Sequence, residues 1–197
     1  MSGQMDHLMK RFYPSLFYQR LMVSLSCAFI FFTFSRADEA SGRQEKLNGG
    51  YYLLHHLCDN EDQLPLLLDV KHSSPEIERF ADRISKTAKE SNAALEQMQD
   101  ADPSLKFNHN PLPSIERDVR DSIQDEKQDQ LLFGTSDAEF ERALLVSQIE
   151  ASNYAHNIAE VLADQDTDPT RIKSLEKISS KWFALNKEAF RLLATVQ

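Results

Sequence analysis

Glycine is scarce in this 197-residue chain, with five residues in all. So few exclude a fold of many strands and tight turns, which draws on glycine for hairpin and left-handed positions. Cysteine is scarcer still. Cys27 lies in an apolar run expected to be removed, which leaves Cys58 as the one remaining thiol and rules out an internal disulfide. Cys58 is expected to serve as a small buried side chain on a helix rather than as a reactive group or an intermolecular bridge. Positive charge is short as well: 22 Lys and Arg stand against 31 Asp and Glu, a formal net charge of -9. An acidic surface repels phosphate backbones and anionic headgroups, so neither nucleic acid nor a membrane surface is an expected partner. A protein partner is compatible with it.

Recognisable chemical motifs are also missing. There is no glycine-rich phosphate loop, no paired CxxC and no nucleophile elbow, and Gly49-Gly50 ahead of Tyr51-Tyr52 reads as a flexible helix start. Helical bundles commonly acquire chemistry through a metal held by glutamates and Glu-x-x-His pairs one turn apart. The residues three before each histidine are Gln4, Tyr52, Leu53, Asp69, Lys106 and Asn153, so no such pair exists. Asp69 with His72 is the nearest approach and reads as a solvated helix end. His55 and His56 are adjacent and point different ways on a helix. His156, with Glu160 one turn on and Glu150 behind it, and Glu126, in line with Ile115, Val119 and Ile123, are the remaining candidates for irregular ligands. One carboxylate alone binds nothing tightly, and the expectation is no catalytic, cofactor or metal site.

What is present is helix periodicity. Segments at about Arg43–His72, Pro75–Asp100, Pro113–Phe133, Asp137–Ala163 and Pro169–Val196 repeat apolar residues every three or four positions. Ile172, Leu175, Ile178, Trp182, Leu185, Ala189, Leu192 and Val196 mark the last of them, where Phe183 and Phe190 also read as core. Pro65 should kink or break the first helix near Leu64. Ser74 before Pro75, Asp168 before Pro169, and Ser136 with Glu139 are N-terminal caps. The longest connection is Ala101–Leu112. Short connections elsewhere make neighbours antiparallel, and the five segments predict one all-α domain, an up-down bundle with one additional helix.

The first 37 residues read differently. Lys10, Arg11 and Arg20 precede the uncharged stretch Leu21–Phe34, too short for a spanning helix and suited to a signal sequence, and Ser35-Arg36-Ala37 supplies small residues for cleavage before Asp38. Residues 1–37 are therefore expected to be a signal peptide and residues 38–197 the exported, periplasmic domain, without a membrane span after cleavage. The signal carries +3, so the remainder carries -12.

Three stretches, SPEIERFADRISKTAKESNAAL, DAEFERALLVSQIEASNYAHNIAEVL and DPTRIKSLEKISSKW, carry a resemblance across about Leu47–Leu193. The chain resembles the bacterial exported family called domain of unknown function four-one-four-two, once labelled outer-membrane proteins. Phe80-Ala81, Arg83, Asn92 to Leu95, and Phe140 with Arg142 match its pattern. The resemblance implies a ferritin-like four-helix bundle with one additional helix, and the periplasm. It supplies no established activity. Where family members have a histidine in the second and fourth helices, this chain has Ala88 and Ser152, so a metal site of that kind would lack its nitrogen ligands. The resulting expectation is a non-enzymatic, exported binding or envelope-associated protein. The alternative is a ferritin-like metal-binding or oxidase-like protein using His55 or His56, Glu126, Glu150 and His156.

Overall fold

The computed structural model describes residues 39–68, 71–108, 110–133 and 136–196, and every regular element among them is helical. They are α1 (Glu39–Glu61), α2 (Leu64–Leu68), α3 (Pro75–Ala101), α4 (Ser114–Phe133), α5 (Asp137–Gln165) and α6 (Pro169–Leu193). The signal-sequence expectation for residues 1–37, and Cys27 with it, lies outside the described residues. No described helix is long and apolar enough to cross a membrane.

Four long helices make the core. α1 packs on α3, α3 on α6, α6 on α5 and α5 on α1, a closed ring in which every neighbour is antiparallel. The direction is set by side-chain pairs: Lys181 Nζ lies 2.5 Å from Glu90 Oε2, Arg83 pairs with Glu188, and Tyr51, midway along α1, reaches Asp166 just past the end of α5 while Glu61, at the end of α1, lies beside Gln148 in the first half of α5. The diagonal partners α3 and α5 run parallel. Joining them takes a connection that travels the length of the bundle, and α4 is that connection, lying outside the ring against α5.

The apolar seams are those the spacing predicts. Tyr51, Leu54 and Cys58 of α1, Phe80 and Ile84 of α3, Phe140 and Leu144 of α5 and Trp182 of α6 are fully enclosed. Burying a side chain of this size contributes on the order of 1.5–3 kcal/mol, so these seams and not intrinsic helix propensity hold the ring together. Cys58 is a buried free thiol, as its helical position suggested.

The ends follow local chemistry. Asp168 caps α6 with both Thr170 and Arg171 amides donating to Oδ1, at 2.8 and 2.9 Å. At α5 the Glu139 carboxylate accepts from the Ser136 amide at 3.0 Å, the returning half of a capping box. Ser74 stands at the N-cap of α3, but its hydroxyl caps nothing; its amide instead donates to Glu141 of α5. The first predicted helix is interrupted at Asp62 and Gln63, immediately before Leu64-Pro65, where α2 begins.

Two expectations fail by packing. Gly49 and Gly50 are inside α1 rather than at a flexible start, because neighbours come too close for a side chain. A Cβ on Gly49 would stand 2.9 Å from Pro111 Cβ, and one on Gly50 would stand 2.7 Å from Leu162 Cδ2. Phe183 and Phe190 are exposed at 43% and 55%, not core. They lie beside the α6 stripe that Trp182 and Leu185 occupy, and Phe183 instead stacks on His156 at 4.8 Å and lies under the Lys187 ammonium at 4.4 Å.

Candidate functional site in the bundle interior and on α4

The ring encloses a polar seam that the apolar periodicity conceals. At the last residue of α1, Glu61 is completely buried, and across the α1–α5 seam Gln148 is completely buried beside it. Burial pushes the Glu61 carboxyl up to about 8, and the Gln148 amide opposes only a smaller part of that rise. The pair does not close into a full hydrogen bond: both Glu61 oxygens and both ends of the Gln148 amide lack a partner. Burial thus favours the neutral acid form of Glu61, since a buried unpaired charge would cost several kcal/mol. Near it, burial raises the Cys58 thiol as well.

Further along the seam several polar groups find partners. Asn186 Nδ2 donates to the Ile149 carbonyl at 2.8 Å and to Ser152 Oγ at 3.2 Å, while Ser152 Oγ donates to the Gln148 carbonyl at 2.5 Å. Trp182 Nε1 donates to Ser91 Oγ at 3.2 Å. Ala88 and Ser152, the positions at which the resemblance implied histidines, are both fully enclosed. One carboxylate with hydroxyls and amides around it is not the donor set of a ferritin-like metal centre, which takes four glutamates and two histidines.

The residues singled out as irregular ligands do not converge. His55, on α1, has Asp59 Oδ2 at 3.2 Å from Nδ1 and Glu96 Oε1 at 3.8 Å from Nε2, so the two carboxylates lie against opposite nitrogens of one ring and cannot share an ion with it. His56 is exposed and stacks on Tyr52. His156 lies on the α5–α6 side, with Nδ1 2.8 Å from Ser179 Oγ and Nε2 3.6 Å from Glu160. Glu150 is engaged by Lys127 at 2.6 Å. His72 is exposed, and Asp69 lies outside the described residues. Among the described residues no three His, Cys, Asp or Glu side chains are placed to hold a metal ion.

Glu126, expected to be buried in line with Ile115, Val119 and Ile123, is exposed, and so is that whole stripe: Ile115 71%, Val119 47% and Ile123 38%. α4 meets the bundle with the adjacent, polar stripe. Arg120 is held by Glu116 at 2.9 Å and its guanidinium lies over the Tyr154 ring, Lys127 reaches Glu150, and Leu131 is buried as an apolar anchor. The apolar spacing was real, but the four seams of the ring are already filled, so α4 turns it outward.

No protein-family model, no curated protein and no solved structure matches this chain.

Fixed geometry also closes the end of the bundle where α1 starts. Asp166 accepts from Tyr51 Oη at 2.7 Å and from Arg171 Nε and Nη2 at 2.8 and 2.7 Å, and Arg171 Nη1 reaches Asp102 at 2.7 Å. Burial would raise the Asp166 carboxyl, but the donors from Arg171, the Asp168 amide and Tyr51 outweigh it and hold the group well below the usual carboxylate range. All its partners are internal, so this clasp fastens α1 to the α5–α6 turn. Periodicity had no means of finding it, because it joins residues 115 positions apart.

The outer face of α4 thus groups three exposed apolar side chains on one helix. Besides the apolar stripe it exposes Asp118, Asp121, Asp125, Glu126 and Asp129, with Arg117 the one exposed cation on the helix among the described side chains.

Proposed function

We propose that this chain is an exported, periplasmic helical-bundle protein that acts by binding a protein partner through its surface and not by catalysis. The observation that carries the reading is the orientation of α4: a helix attached by polar groups, with Ile115, Val119 and Ile123 presented to solvent. A monomeric domain gains nothing from an exposed apolar stripe on a mainly polar helix, whereas a contact face needs one. The interior supports the same reading, because Asn186 donates to Ser152 and the two fill the seam at the level where, on the resemblance, a ferritin-like centre would need an imidazole.

Export rests on the basic segment and apolar stretch ahead of Asp38. Kinship with the exported family named above, and with it a ferritin-like bundle, rests on the resemblance of the three segments quoted in the sequence. Two antiparallel helix pairs joined by one length-spanning crossover also agree with that fold.

The test has two parts. Expressed as the full chain in a bacterium with an outer membrane, the protein should be released by osmotic shock with Asp38 at its N-terminus; retention of residues 1–37 in the cytoplasm would defeat the export reading. A photo-crosslinking residue at Val119 should capture one discrete protein that the same residue at Glu176, exposed on α6, does not. Equal capture from both positions would defeat the surface reading.

A further inference from the structure

Resting on that reading of α4, we infer that the partner presents a short basic amphipathic helix, whose apolar side packs on Ile115, Val119 and Ile123 and whose Lys or Arg residues meet the acidic flank of α4. On the 100° spacing of an α-helix, Ile115, Val119 and Ile123 occupy one strip of the surface. The bundle-facing residues Glu116, Arg120, Lys127 and Leu131 border it on one side. Ser122, Asp129, Asp118 and Asp125 follow in turn on the other, and Glu126 stands within the strip itself, one turn beyond Ile123. A visiting helix laid along the strip is bounded by the bundle on one side and by a row of carboxylates on the other. That asymmetry asks for an apolar face with cations along one edge.

A second copy of this chain is the competing occupant, and charge and size argue against it. Two such faces would bring two acidic rows together on molecules that each carry -12 without the signal segment. The strip spans two helical turns, about 12 Å by helix rise, and its three side chains fall well short of the roughly 1,200–2,000 Å² that a stable interface buries. A weak, salt-sensitive contact with a separate helix suits its extent.

The experiment uses residues 38–197, the span containing every described helix, and an 18-residue fluorescent peptide of Leu and Lys in amphipathic helical order, followed by anisotropy. Saturable one-to-one binding is expected, weakening at least tenfold between 50 and 500 mM salt. The triple substitution I115S/V119S/I123S leaves every charge in place and should weaken binding at least tenfold, with circular dichroism unchanged. Equal affinity of that variant would reduce the contact to nonspecific charge attraction and overturn the inference, as would equal binding of a Leu and Glu peptide. Sedimentation showing a dimer that the triple substitution dissolves would assign the face to a second copy instead. Failure of the Lys peptide while Val119 still captures a discrete partner would remove the basic helix and leave the binding reading of α4 standing.

Discussion

Tyr51 in α1 donates its phenolic hydrogen to Asp166 Oδ2 just past the end of α5, 2.7 Å away, and Arg171 grips both oxygens of the same carboxylate, Nε on Oδ2 and Nη2 on Oδ1. The first helix of the ring is thereby tied to the hairpin formed by the last two. Removing only the phenol, Tyr51→Phe, should cost about 1 kcal/mol, the net worth of one hydrogen bond, because Arg171 still satisfies the carboxylate. Asp166→Asn should cost about 3 kcal/mol, since it leaves the partly enclosed Arg171 with Asp102 alone. Urea unfolding of both variants checks the order, and a Tyr51→Phe variant as destabilised as Asp166→Asn would refute it.

Acid should weaken this clasp. Asp166 is held below its ordinary range in the folded chain, so its contribution is present above the unfolded value near 3.8 and is lost as pH falls below it. Unfolding free energy followed from pH 6 down to 2 should fall less steeply in Asp166→Asn than in the parent. Identical curves would mean that other carboxylates govern acid unfolding.

Glu61 works in the opposite direction. Its folded value of about 8 stands above the ordinary 4.5, so the stabilisation is fully present below 4.5 and is lost as pH rises toward 8. Between those limits the folded chain binds the proton more tightly than the unfolded one, and stability should decline with a slope of at most about 1.4 kcal/mol per pH unit from this one group. Glu61→Gln removes the titration while keeping the shape. Its stability should change little between pH 5 and 9, so its advantage over the parent grows with pH; parallel slopes for the two proteins would show that Glu61 is not the titrating group.

The α4 strip makes a prediction that separates spacing from packing. Were Ile115, Val119 and Ile123 core, the triple serine substitution would cost several kcal/mol. Exposed as they are, each change should stay within about 0.5 kcal/mol, while Leu131→Ala on the buried stripe should cost on the order of 2–3 kcal/mol. Thermal melts of the two variants decide the matter, and a triple variant that melts below Leu131→Ala would return the strip to the core.

Those same residues explain how much of this protein was legible in its sequence. Helix number, the break before Pro65, the Asp168 cap and the enclosed seams of α3, α5 and α6 follow from periodicity and local chemistry, which are properties of neighbouring residues. Which of two adjacent stripes on α4 faces inward is not such a property. It depends on whether a seam remains open once four other helices have met, and Arg120 with Lys127 won the inner side through long-range partners on α5. Glu61 was missed for a related reason: a carboxyl one turn beyond Leu57 and Cys58 looks like a polar helix end, and only the arrival of α5 with Gln148 encloses it. Gly49 and Gly50 looked flexible because their use lies in Pro111 and Leu162, far along the chain.

The polar latch at the middle of the ring gives the last test. Asn186 donates both to the Ile149 carbonyl and to Ser152 Oγ, so the two side chains share one piece of hydrogen bonding. Ser152→Ala removes one acceptor and should cost about 1 kcal/mol, because Asn186 keeps its bond to the carbonyl. Asn186→Ala leaves a small cavity as well as the lost bonds and should cost about 2 kcal/mol or more. Since each loss includes the bond between them, the double variant should be less destabilised than the added single effects, by roughly 0.5–1 kcal/mol. Strict additivity in a double-mutant cycle would mean that Ser152 and Asn186 are buried side by side without being coupled.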